Sequence, residues 1–242
     1  LHGGVKGFDK RVWNVAGTAE ESDYAELSLS LDSADGEESF PGNLSVTVHY
    51  RLTNDNEIRI RYEAETDKAT PVSLTNHTYF NLNGFQDKVL DHVLQLKSDR
   101  ILVPDDTNVP VGEEESVAGT AADFNSPKRI GDAFDDLPLG FEHFYAFDKP
   151  EGALEKVAEV TEPSTGRKLE VHSTEPGTLF YTGRYTSDKL KRESGAQFGQ
   201  FRAFCIETSK YPNGPNLDGA PRSVLKPGEK YDETTVYKIS WA

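Results

Sequence analysis

Six histidines and 41 acidic residues are spread over the 242-residue chain, but few of them sit where proton transfer has company. In Thr75-Asn76-His77-Thr78-Tyr79-Phe80-Asn81-Leu82, period-2 alternation puts Ser73, Thr75, His77 and Tyr79 on one face and Val72, Leu74 and Phe80 on the other. One face then carries an imidazole and a phenol in a polar row, although an ordinary histidine on a wet strand face has the same pattern. In Arg202-Ala203-Phe204-Cys205-Ile206-Glu207-Thr208-Ser209 an apolar run ends in a glutamate. A carboxylate emerging from a buried strand has its pKa raised by desolvation, which suits general-base work; a strand-end glutamate paired with arginine is the plainer alternative. Gly140-Phe141-Glu142-His143-Phe144-Tyr145 sets a carboxylate and an imidazole among aromatic rings, a composition that grips a sugar or simply starts a strand. His2-Gly3-Gly4 places an imidazole beside backbone that a ligand can approach closely. His49, His92 and His172 lie in ordinary alternating runs and read as structural or exposed.

The elements that must position these groups are strands. Leu27, Leu29 and Leu31 alternate with Glu26, Ser28 and Ser30, and Leu44–Leu52 and Ile58–Ala64 flank Asn54-Asp55-Asn56 as a hairpin. Further strands are predicted over 70–80, 89–103, 143–148, 156–161, 167–173, 178–185, 201–208 and 233–241, separated by turns such as Pro176-Gly177 and Pro227-Gly228. Only 126–134 reads as a short helix, with Ser126 as its cap and Pro127 in its first turn. Asp32–Glu38 and Gly112–Ala122 read as loops. The expected class is all-β, a large antiparallel sandwich, with residues 1–242 forming one domain.

Composition narrows the function. The net charge of −15, with no Lys/Arg cluster to interrupt it, argues against nucleic acid or an anionic membrane surface as partner. No apolar run is long enough to span a bilayer. A single cysteine, Cys205, excludes a disulfide framework and a Cys-rich zinc site, and nothing demands an oxidising compartment, so the cytoplasm is expected. The chain begins at Leu1 and has no Met, so a preceding segment is expected; a signal peptide there, with Asn43-Leu44-Ser45 and Asn76-His77-Thr78 as glycan acceptors, leaves secretion open.

Taken in order, Leu1-His2-Gly3-Gly4, Asn76–Leu82, Gly140-Phe141-Glu142-His143, Glu175-Pro176-Gly177 with Tyr181-Thr182-Gly183, Phe204-Cys205-Ile206-Glu207-Thr208 and Leu225-Lys226-Pro227-Gly228-Glu229 resemble the galactose mutarotase (aldose 1-epimerase) family over essentially the whole chain. The resemblance implies a β-sandwich that binds an aldose and interconverts its anomers. His77 would be the general acid and Glu207 the general base, with His2, Glu142, Tyr79 and Asn81 contacting the sugar. It implies no metal and no cofactor, a monosaccharide as partner, and an arginine and strands ahead of the Leu-His-Gly-Gly motif. Members carry Asp at the position of Glu142, Gln at Leu179 and Gln at Ser209. Those departures keep two alternatives open: a carbohydrate-binding or regulatory protein on the same scaffold, and a hexose-phosphate epimerase using Arg184 or Arg202.

Overall fold

The computed structural model describes residues 2–241 except 188, 190–194 and 196–198. Among them are sixteen strands and no α-helix: β1 (Asn14–Glu20), β2 (Tyr24–Ser33), β3 (Leu44–Thr53), β4 (Glu57–Thr66), β5 (Thr70–Pro71), β6 (Val93–Leu96), β7 (Arg100–Pro104), β8 (Pro110–Ser116), β9 (Lys128–Arg129), β10 (Glu142–Ala146), β11 (Glu155–Glu162), β12 (Arg167–Ser173), β13 (Gly177–Tyr181), β14 (Cys205–Ser209), β15 (Val224–Leu225) and β16 (Tyr231–Trp241). They pair antiparallel in a nine-stranded sheet, β1-β2-β3-β4-β16-β12-β11-β6-β9, a five-stranded sheet, β14-β13-β10-β7-β8, and the small pair β15-β5.

One hydrophobic core takes side chains from both large sheets. Val46, Ile60, Leu94, Val160, Leu169 and Tyr237 come from the larger one, and Tyr145, Phe180 and Ile206 from the smaller. The strand alternation sorts these residues inward because successive side chains point to opposite faces. The expected all-β class and antiparallel pairing are what the structure has. Alternation does not guarantee burial everywhere: of Leu27, Leu29 and Leu31 only Leu31 is buried, and Leu27, Tyr50 and Leu52 are exposed.

Three local expectations are corrected. The helix over 126–134 is absent: Lys128 and Arg129 pair with Leu94 and Val93, the Ile130 N–H donates to the His92 carbonyl, and only Ile130–Ala133 turns, as a 3-10 helix. The β6 edge and the His92 backbone take the hydrogen bonds a helix would need. The loop over 112–122 gives up its first part to β8, which pairs with β7 through Glu114–Ser116. The strand over 70–80 pairs only at Thr70–Pro71; beyond it the chain stays extended, with a single bridge between Phe80 and Phe204.

The turn between β12 and β13 anchors the smaller sheet. At Gly177 a Cβ would lie 2.3 Å from the Phe144 ring and 2.6 Å from the Tyr145 carbonyl, so the Pro-Gly motif is a packing requirement. Beside it Glu175, 1% exposed, accepts a hydrogen bond from the Tyr231 hydroxyl at 2.7 Å and meets Lys210 at 3.0 Å, and Lys210 also pairs with Glu233. Burial alone would lower the Lys210 pKa, but Glu175 and Glu233 hold it above the ordinary lysine value. Removing the cation leaves buried carboxylate charge uncompensated wherever Glu175 is ionised, so Lys210→Met is expected to cost about 3–5 kcal/mol above neutral pH. The loss should show as a lower urea midpoint and shrink in acid, because burial pushes Glu175 up to about 7 and it then takes a proton. An unchanged midpoint would contradict this.

Candidate active site

The outward face of the smaller sheet presents its side chains in cross-strand rows. The register aligns Glu142 with Tyr181 and Cys205, then Phe144 with Leu179 and Glu207, then Ala146 with Gly177 and Ser209. Residues directly opposite across antiparallel strands share a face, so Cys205 and Glu207 rise on one side of β14 while Ile206 and Thr208 go to the core side. The same alternation turns His143 away from this face and against the Phe141 ring, where burial lowers its pKa.

The extended segment 72–80 runs beside the free edge of β14 and is tied to it at both ends. The Lys210 N–H donates to Ser73 Oγ at 3.1 Å, and Phe80 and Phe204 exchange backbone hydrogen bonds of 2.8 and 3.0 Å. Between these ties Asn76 Nδ2 donates to the Tyr237 hydroxyl at 3.0 Å, and that hydroxyl donates to the Ile206 carbonyl at 3.1 Å. With Asn76 pulled inward, His77 turns outward over β14. Its Nδ1 lies 3.4 Å from Cys205 Sγ and its Nε2 lies 3.5 Å from Glu207 Oε1. The ring stacks on Tyr79, with centroids 4.8 Å apart, and stands edge-on to Tyr181 at 6.1 Å.

Glu207 is 4% exposed, and its Oε1 has no hydrogen-bond partner among the described residues. Burial, and then the negative charge of Glu142, push its pKa up to about 7. Burial lowers the His77 pKa, and the charge of His2 adds a smaller push the same way. Burial also raises the Cys205 pKa far above the thiol range. Cys205 therefore stays a thiol beside Nδ1, and Nε2 is the ring nitrogen that faces Glu207. The arrangement pairs a desolvated base with an imidazole donor, with an exposed aromatic ring, Tyr79, beside them.

Of the six residues read from the sequence, the structure brings His77, Glu207 and Tyr79 into one cluster. Glu142 lies on the same sheet face, 3.5 Å from Arg184 Nη1. His2 is exposed in a turn whose Val5 and Lys6 N–H groups donate to Glu38 at 2.8 and 2.9 Å; Leu1, which opens that motif, lies outside the described residues. Asn81 is corrected. Its Nδ2 donates to the Asp87 and Arg202 carbonyls at 2.9 and 2.7 Å and its Oδ1 accepts from the Asn83 N–H at 2.9 Å, so loop hydrogen bonds occupy both ends of the amide. Tyr181 and Cys205 were not picked as site residues; strand alternation with Glu207 was the available signal for Cys205. Arg184 covers the Tyr185 ring at 4.5 Å, and Arg202 donates to the Phe85 carbonyl. Two clefts of about 110 and 290 Å³, around Lys210 and Tyr231 and around His49 and Arg61, include neither His77 nor Glu207.

Among the described residues no helix is long and apolar enough to cross a membrane. The sequence model of the aldose 1-epimerase family matches residues 1–238. The galactose mutarotase of Homo sapiens is 40% identical over 246 residues, covering 100% of this chain and 69% of the human protein. The aldose 1-epimerase of Escherichia coli strain K12 is 36% identical over 246 residues, covering 99% of this chain and 70% of its own length. A galactose 1-epimerase from Lactobacillus acidophilus superposes with a TM-score of 0.85 at 29% identity, over 100% of this chain and 70% of that one.

Proposed function

The chain belongs to the aldose 1-epimerase family, and from that we propose that His77 and Glu207 together open and reclose the ring of a bound aldose, interconverting its α and β anomers. The observation that carries this reading is the 3.5 Å approach of His77 Nε2 to a buried, unpartnered Glu207 Oε1. The anomeric hydroxyl and the ring oxygen are bonded to the same carbon, so two neighbouring groups can serve both. Glu207 takes the proton of the C1 hydroxyl, the C1–O5 bond breaks as C1 becomes an aldehyde, and His77 gives a proton to O5. Rotation about C1–C2 and the reverse transfers close the ring with the other configuration. No atom is gained or lost, and the pair ends with the proton it began with.

Tyr79 is the aromatic surface beside the reacting carbon, and burial pushes its pKa up to about 12, so it acts as a neutral donor. Glu142 and His2 are the further sugar contacts, on a single sandwich domain. Arg184 is engaged by Glu142, which favours neutral aldoses over sugar phosphates.

Leu179, at the position where the family resemblance implies an amide, stands directly opposite Glu207 on β13. An aliphatic side chain gives a sugar hydroxyl no partner, and a polar group buried unpaired costs about 1–3 kcal/mol. Pentoses that lack the C6 hydroxymethyl therefore compete better here with galactose than in members that carry the amide. The test compares kcat/KM for xylose, arabinose, glucose and galactose in the wild type and in Leu179→Gln. Acceleration of anomer exchange over the spontaneous rate is expected for the wild type, and the variant should shift preference toward hexoses by about 5- to 150-fold, the equivalent of that cost. No acceleration with any of the four sugars would overturn the function; an unchanged ranking would overturn the role of Leu179 alone.

A further inference from the structure

We propose that His77, Cys205 and Glu207 also form a binding site for one thiophilic divalent cation, Zn²⁺ or Cd²⁺, whose occupancy withdraws both proton-transfer groups and blocks anomer interconversion. The blocking rests on the roles proposed above for His77 and Glu207; the binding does not.

One donor atom from each of the three residues, an imidazole nitrogen, the thiol sulfur and a carboxylate oxygen, lies within 4.8 Å of the others. Nitrogen, sulfur and oxygen donors in one cluster are the set that zinc selects over harder cations. In a tetrahedral site with Zn–S of about 2.3 Å and Zn–N or Zn–O of about 2.0–2.2 Å, neighbouring donors stand roughly 3.3–3.6 Å apart. His77 already has that spacing on both sides of its ring, 3.4 Å to Sγ and 3.5 Å to Oε1. The metal can take only one ring nitrogen, so the third donor has to close by about 1 Å, a movement that a side-chain rotation provides.

The second, independent sign is Glu207 itself. The Oε1 of a glutamate only 4% exposed, with no hydrogen-bond partner among the described residues, is satisfied by a cation at least as well as by a proton. Glu142 adds a second negative charge near Glu207. His77 keeps a quarter of its side chain exposed, which gives an entry path and an open coordination position for water. Binding forms an S–metal bond as the Cys205 thiol loses its proton to solvent, and nothing is oxidised or reduced. Protons on Cys205 and Glu207 compete with the metal, so affinity rises with pH.

Cys205 is the only cysteine, so any thiolate-to-metal signal reports this site alone. The experiment adds Cd²⁺ to the full chain and follows ultraviolet charge-transfer absorption, then repeats Zn²⁺ inhibition of galactose anomer exchange for each variant against its own uninhibited rate. Expected are saturation at one Cd²⁺ per chain, release of the thiol proton, suppression of the signal by galactose, and loss of the signal in Cys205→Ser. Zn²⁺ should compete with galactose and be reversed by chelator, Mg²⁺ should have no effect, and Cys205→Ala should need at least about tenfold more Zn²⁺ for half-inhibition. His77→Asn, which leaves the cysteine in place, should weaken Cd²⁺ binding by at least about tenfold and serves if the cysteine variants fold poorly. Absence of the absorption from folded wild type, or equal Zn²⁺ sensitivity in wild type and Cys205→Ala, overturns the site. Neither result touches Glu207 as the base, which is tested without metal.

Discussion

Glu207→Gln is expected to lower kcat for galactose anomer interconversion by about 10²–10⁴-fold while galactose binding remains measurable by calorimetry. The amide keeps the size of the side chain and can still hydrogen-bond a hydroxyl, but it cannot take the anomeric proton. The environment makes this position sensitive. Glu207 shares its cross-strand row with Leu179 and Phe144, and burial followed by the Glu142 charge pushes its pKa up to about 7. A base near neutrality combines a substantial ionised fraction with real affinity for the proton it must take. An exposed carboxylate near its ordinary value would be ionised but a weak base. If Glu207→Gln turns over at the wild-type rate, the base lies elsewhere.

His77→Asn should depress turnover by roughly 10²-fold or more, and it should also change the shape of the pH dependence. The ring-opening step needs an ionised Glu207 and a proton on His77, so the pair must hold one proton between them. Burial raises one group to about 7 and lowers the other below its usual 6.5. Lowering the pH adds a second proton and removes the base; raising it takes the shared proton away and removes the acid. The wild type is therefore expected to show a bell in kcat/KM. The residual rate of His77→Asn should instead rise through the Glu207 ionisation and not fall again in alkali. His49→Ala is the control: His49 bonds Ser28 and Glu63 on the larger sheet, outside the site.

How much of this was legible in the sequence differs by element. Central strands with one buried face announce themselves by alternation, as Leu44–Leu52 and Ile58–Ala64 do, and the run into Glu207, buried on both faces, shows as an apolar stretch. Edge strands do not. β8 holds Glu113, Glu114 and Glu115 in succession, and β1 went unread, since a strand wet on both faces has no alternation to show. The segment carrying His77 read as a strand because its side chains do alternate, yet its partner hydrogen bonds go to Ser73, Asn76 and a single bridge instead of a ladder. Asn81 enters as a sugar contact through the family resemblance. Only the fold shows that the Arg202 and Asp87 carbonyls occupy its amide, because those partners are distant in sequence or set by a turn. The proximity of His77 to Cys205 and Glu207, across more than 120 positions, has no local signature; the family resemblance supplied the pairing with Glu207 and was silent about the thiol.

The central claim is that one proton shared by His77 and Glu207 opens and closes the ring of a bound aldose. The most direct test is kcat/KM for galactose anomer interconversion from about pH 5 to about pH 9 in the wild type, Glu207→Gln and His77→Asn, by polarimetry at constant ionic strength. The expected result is a wild-type bell with its alkaline limb near or above 7, widened where attraction between imidazolium and carboxylate holds the shared proton in place, and each variant missing one limb and at least about two orders of magnitude in rate. A wild-type profile that is flat across this range, or a bell that survives intact in both variants, would contradict it.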